Sequence, residues 1–103
     1  MRGGPQEFLL RLPATSVVGY TRPMPVVFRH RGVRFLFFSN EGDPREPVHV
    51  HADSPDGAAK FWLYPEVSVA RSTGFSRRQL AELTAVVAER RAEIERAWDE
   101  FFG

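Results

Sequence analysis

The chain has no cysteine, and only one of its fourteen cationic side chains, Lys60, is a lysine. Without thiols there is no disulfide, no thiolate nucleophile and no cysteine metal site. No apolar run is long enough for a membrane span or for the core of a secretory signal, so a cytoplasmic location and no membrane partner are expected. A formal net charge of +1 excludes a bulk polycation that binds nucleic acid by charge alone. Any chemistry here falls to histidine, carboxylate, arginine and one lysine.

The small net charge hides an uneven distribution. Residues 1–38 carry six arginines against one acid, and residues 39–75 carry three cations against six acids. Arginine suits phosphate recognition, but a GC-rich coding bias accounts for its excess more simply. Lys60 is then the informative cation. The aromatic residues, nine Phe and two Trp among them, are sufficient for a modest core in 103 residues without staples.

Residues 1–23 are broken by Gly and Pro and are expected to be an extension to a single domain over 24–103. From Val26 the pattern is an antiparallel meander. Val26–His30 and Val33–Ser39 flank Arg31-Gly32, a two-residue hairpin turn. That register sets Phe28 against Phe35 and Arg29 against Arg34. Val48–Asp53 and Ala58–Leu63 flank Ser54–Gly57, and Val67–Arg71 adds a further strand. Ser76 with Gln79 is a capping box, and Phe75 with Leu80 a hydrophobic staple. The apolar positions Leu80, Leu83, Val87, Ile94, Trp98 and Phe101 predict one long helix through Phe102. At about 1.5 Å per residue it would span roughly 40 Å, so either its ends project or a partner subunit, as in a homodimer through the helix, covers the remainder. Arg90 falls on its apolar stripe and is expected to snorkel. The fold class is therefore α+β, a meander of four to five strands with one C-terminal helix packed on one face.

On a strand, His49 and His51 project to the same side, their Cα atoms about 6.5–7 Å apart. Pairing Asp53 with Ala58 makes Lys60 the neighbour of His51 and Trp62 the neighbour of His49. One face then carries His49, His51, Asp53, Lys60, Trp62 and Tyr64, and the other carries Val50, Ala52, Ala59, Phe61 and Leu63. The third histidine, His30, is expected to be a hydrogen-bonded core or edge residue.

Three readings of the polar face compete. In the first, His49 and His51 act as acid and base on a phosphodiester without metal or cofactor. Lys60 would then stabilise phosphoryl charge, Arg29 and Arg34 would bind phosphate, and Trp62 or Tyr64 would stack on a base. In the second, His49 and His51 are metal ligands completed by Glu41, Asp43, Glu46 or Asp53; Lys60 argues against it, because an ammonium repels a divalent cation. The plain alternative is a solvated strand face without chemistry.

The order of Met24-Pro25, Arg34–Gly42, Pro44–Pro47, His49-Val50-His51, Ala59–Leu63 and Gly74-Phe75-Ser76, closing with Trp98 and Phe101–Gly103, resembles the bacterial domain-of-unknown-function family 4160. The resemblance covers residues 24–103. It implies a small protein partner from a neighbouring gene, in an arrangement resembling a toxin–antitoxin pair, and it permits action on RNA. The family motif residues matched are Asn40, Glu41, Glu46, Pro47, His49, His51 and Lys60, with Asn40, Glu41 and Glu46 supporting the site from the loop. A toxin-like component acting on RNA is expected, with a non-enzymatic interaction module or a metal-binding domain as alternatives.

Overall fold

The computed structural model describes residues 26–41 and 45–103. The expected 1–23 extension, the Met24-Pro25 pair and Asp43 lie outside the described residues. Five strands, β1 (Phe28–His30), β2 (Val33–Leu36), β3 (His49–Ser54), β4 (Gly57–Trp62) and β5 (Ser68–Thr73), form one antiparallel sheet in sequence order. A short 3-10 turn, Ser39–Glu41, follows β2, and two helices, α1 (Arg77–Glu89) and α2 (Arg91–Phe102), follow β5.

The pairings are those the sequence predicts. Phe28 is opposite Phe35 and Arg29 opposite Arg34, and His51 is opposite Lys60 and His49 opposite Trp62. The β1–β2 turn has positive φ at both central residues, 49° at Arg31 and 81° at Gly32, the twist a tight hairpin needs. Arginine is a poor occupant of that conformation, which favours Gly or Asn. Arg31→Asn is therefore expected to raise the urea midpoint, stabilising the fold by about 0.5–1 kcal/mol. The ion pair lost with Glu82, 3.6 Å away on an exposed side chain, contributes little.

One face of the sheet is apolar and carries the helices. Phe28, Phe35, Phe37, Val50, Ala52, Phe61 and Leu63 are buried there against Leu83, Val87, Ile94 and Trp98. The single helix expected from the periodicity is instead two, broken at Arg90, whose backbone leaves the helical region (φ −104°, ψ 18°). A continuous helix would have placed this charge in the middle of its buried stripe. With the break, the guanidinium lies over the Phe28 ring, 4.4 Å from its centroid, and 3.3 Å from Glu93. Each helix then buries its own apolar residues, Leu83, Val86 and Val87 on α1 and Ile94 and Trp98 on α2. The capping box at Ser76 and Gln79 is formed in both directions. His30, on the edge strand, bonds Glu82 of α1 at 2.8 Å. Among the described residues no helix is long and apolar enough to cross a membrane.

Candidate functional site

The other face of the sheet is a grid of chemically active side chains fixed by strand register. One row runs Arg29, Arg34, Asp53, Ala58, Thr73 across the five strands. The next runs Leu36, His51, Lys60, Arg71, and a third carries His49 and Trp62. Arg29 and Arg34 thus share the histidine face. Arg34 is ion-paired with Asp53, and Arg29 is exposed.

The two histidines converge on Glu41, which sequence spacing alone does not bring to them. The 3-10 turn folds this side chain back over the sheet, where it is only 5% exposed. Its Oε1 accepts the Phe38 amide at 3.0 Å. Its Oε2 lies 2.5 Å from His51 Nε2 and 2.8 Å from His49 Nε2. Burial alone would raise the Glu41 carboxyl pKa, but the two imidazoles and the Phe38 amide outweigh it and hold the pKa well below the usual carboxylate range. The carboxylate is therefore ionised.

His49 has no exposed surface. Its ring meets those of Trp62, Trp98 and His51 at centroid distances of 5.5, 5.1 and 5.1 Å. Its Nδ1 lies 2.8 Å from the Pro47 carbonyl, an acceptor, so Nδ1 carries a proton and donates it. Nε2, the other ring nitrogen, faces the Glu41 carboxylate oxygen and makes no hydrogen bond among the described residues. His51 differs in having an exposed edge, 12% of its side chain.

Lys60 is 8% exposed, with its ammonium 3.3 Å from Glu46 and 4.4 Å from the centroid of the Trp62 ring. Its charge is thus already balanced by Glu46, and Trp62 is occupied by Lys60 and His49. Glu46 also lies 3.9 Å from His49 Nδ1, and its amide bonds the Glu41 carbonyl at 3.0 Å. Asn40 sits exposed on the same 3-10 turn. The neighbouring Arg45 bonds the Phe102 carbonyl at the end of α2, a cation at the negative end of a helix.

Tyr64, expected on the histidine face, is elsewhere. After β4 the chain turns through a cis Tyr64-Pro65 bond, and the phenol bonds Glu95 of α2 with the Arg91 guanidinium 5.0 Å from its ring centroid. Alternation along a strand no longer governs a residue that has left the strand. The tyrosine is held by the helix and is not part of the site.

Two cavities open on this face. One, about 250 Å³, is floored by Leu36 and Phe38 and flanked by Arg34, Asp53 and His51. The other, about 150 Å³, lies between His51, Lys60, Arg71 and Thr73. Both border His51 and Ala58. Glu41 and Arg71 are the residues that sequence reasoning underused: Glu41 was one of several loop acids, and Arg71 was one arginine among many. The register of β5 against Lys60 is the signal that finds Arg71.

The fold and site define a small α+β domain with a carboxylate and two imidazoles gathered beneath an open sheet face. The chain belongs to the family described as a domain of unknown function (DUF4160), whose pattern matches residues 32–99. No curated protein and no solved structure matches it.

Proposed function

We propose that this chain is a metal-binding domain that holds a divalent transition ion on Glu41, His49 and His51. The observation that carries the reading is the His49 Nε2 atom, fully buried and without a hydrogen-bond partner although it lies 2.8 Å from an ionised carboxylate oxygen, its other nitrogen being committed to a carbonyl. A cation held between the nitrogen and the carboxylate satisfies both. A metal-ligating histidine typically donates its second N–H to a carbonyl or carboxylate in this way.

The donor set fits. One carboxylate and two imidazoles suit zinc and iron(II), and the three donor atoms lie within 4.8 Å of one another. Around a tetrahedral zinc, neighbouring donors sit roughly 3.3 Å apart, so the cluster opens by only a fraction of an ångström to admit the ion. Three protein donors are one fewer than a structural zinc site uses, and the least covered of them, His51, borders both cavities. The ion, when bound, supplies Lewis acidity at that edge. The objection from Lys60 falls away, because Glu46 balances its charge. The metal-free acid–base pair is less well suited, since His49 has no surface with which to meet a substrate.

Untagged protein is expected to take up one zinc or cobalt ion per chain in a saturable titration, and Glu41→Gln and His51→Ala to abolish that uptake. Zinc at about a hundred times its dissociation constant should stabilise the fold by about 2.7 kcal/mol, and chelator should reverse the gain. Absence of saturable one-to-one uptake of zinc, cobalt or iron(II) would overturn the reading.

A further inference from the structure

We propose that the open face of the sheet binds a phosphate ester of the nucleotide class, lying across the two cavities that meet at His51. The inference deepens the metal reading by naming a ligand for the same face; its position beside the ion rests on that reading, and its own contacts do not.

The smaller cavity is the anion end. Arg71 stands directly opposite Lys60 on the neighbouring strand, and like charges so placed in a sheet repel. Lys60 has Glu46; Arg71 has no carboxylate within ion-pair distance among the described residues. The cavity walls include the Arg71 and Lys60 side chains, the Thr73 hydroxyl and the exposed edge of His51, and no acid. A space of about 150 Å³ with that lining takes a phosphoryl group, and arginine binds phosphate oxygens in a fork. A small apolar group would leave Arg71 unpaired, and a carboxylate, which would pair with it, brings one oxygen fewer than a phosphoryl group to the Arg71, Lys60 and Thr73 side of the cavity.

The larger cavity is the organic end. Its floor is Leu36 and the Phe38 ring, which packs edge-on against His51, and its rim is the Arg34–Asp53 pair, a donor and an acceptor side by side. A flat heterocycle matches an apolar floor with both polarities at the edge. Ala58, exposed and without bulk, separates the two cavities and leaves room for one molecule to span them.

The test titrates the full chain, with chelator present so that a failed metal site does not fail it, using inorganic phosphate, adenosine 5′-monophosphate and a short single-stranded oligouridylate. The mononucleotide is expected to bind more tightly than phosphate. Arg71→Ala should weaken both about tenfold or more, Arg71→Lys less, and Arg78→Ala, an exposed arginine on α1, not at all. Ala58→Phe should block the mononucleotide while leaving the urea midpoint unchanged, as a substitution at an exposed strand position. An oligonucleotide binding more tightly than the mononucleotide identifies the source as a nucleic-acid strand; equal or weaker binding identifies it as a free nucleotide. No saturable binding of any probe, or equal losses in Arg71→Ala and Arg78→Ala, would sink the proposal.

Discussion

Glu41→Ala should lower the free energy of unfolding by about 3–5 kcal/mol, although the residue belongs to a three-residue turn outside the sheet. The carboxylate is the only described acceptor for the Phe38 amide and the only acid against the His49 and His51 Nε2 atoms. Truncation leaves the Phe38 amide and His51 Nε2 without their hydrogen-bond partner, and each unsatisfied group costs about 1–3 kcal/mol. Glu41→Gln separates the contribution to folding from that to metal binding. Its carbonyl oxygen still accepts from Phe38, and its amide nitrogen faces the two imidazoles. We expect it to lose no more than about 2 kcal/mol and to take up no zinc. Urea unfolding with chelator present measures both variants on the apo protein, and a Glu41→Ala loss below about 1 kcal/mol would show that the cluster does not hold the turn.

Gly74→Ala is expected to cost about 3 kcal/mol or more, combining backbone strain with an overlap that has no soft side. Gly74 has φ of +87°, a region where a β-carbon is penalised by about 1–2 kcal/mol. A β-carbon there would also lie 2.3 Å from the Asp56 carbonyl oxygen and 2.8 Å from Gly57 Cα. The reciprocal contact is as close: a β-carbon on Gly57 would lie 2.3 Å from the Thr73 carbonyl oxygen. Both partners are backbone, so neither can rotate away, and forced displacement of a packed segment costs about 1–3 kcal/mol. The β3–β4 loop is seated on the junction between β5 and α1 through these two glycines. Because one separation of the two segments relieves both overlaps, the Gly57→Ala/Gly74→Ala double variant should lose less than the sum of the singles. Strict additivity in thermal or urea unfolding would contradict that seating.

The strand half of the fold was legible in the sequence because period-two alternation and turn chemistry over-determine it. Arg31-Gly32 and Ser54–Gly57 set the hairpins, and a one-residue slip of β3 would have put both histidines among the core residues. The helix half was half legible. Periodicity identified the buried positions but could not register that Arg90, on the same stripe, is tolerated only by interrupting it. The site divided along the same line. His49, His51, Lys60 and Trp62 were placed by register; whether Arg29 and Arg34 share their face was not, because the long β2–β3 connection leaves that pairing open. Glu41 was not placed either, since its position is set by the Phe38 amide and the imidazoles it reaches, contacts that strand alternation does not specify. Tyr64 failed for a related reason, as the turn at Pro65 takes it out of the alternation. Burial inverted one role: the core-facing residues were identified, but His49, on the polar face, is as buried as any of them because Trp62 and Trp98 close over it.

The strictly sequential order of the sheet has a kinetic consequence. Every strand pairs only with the strands beside it in the chain, so each loop closure is short and topologies of this kind fold quickly for their β content. The three donor groups lie within residues 41–51, and a single hairpin with its preceding turn brings them together. Their cover does not arrive with them. Trp98, the ring that closes over His49, comes from α2, which follows all five strands in the chain and so is synthesised after them. During synthesis the donors therefore emerge before their cover, and the interval between the two is when an ion has its freest path to His49.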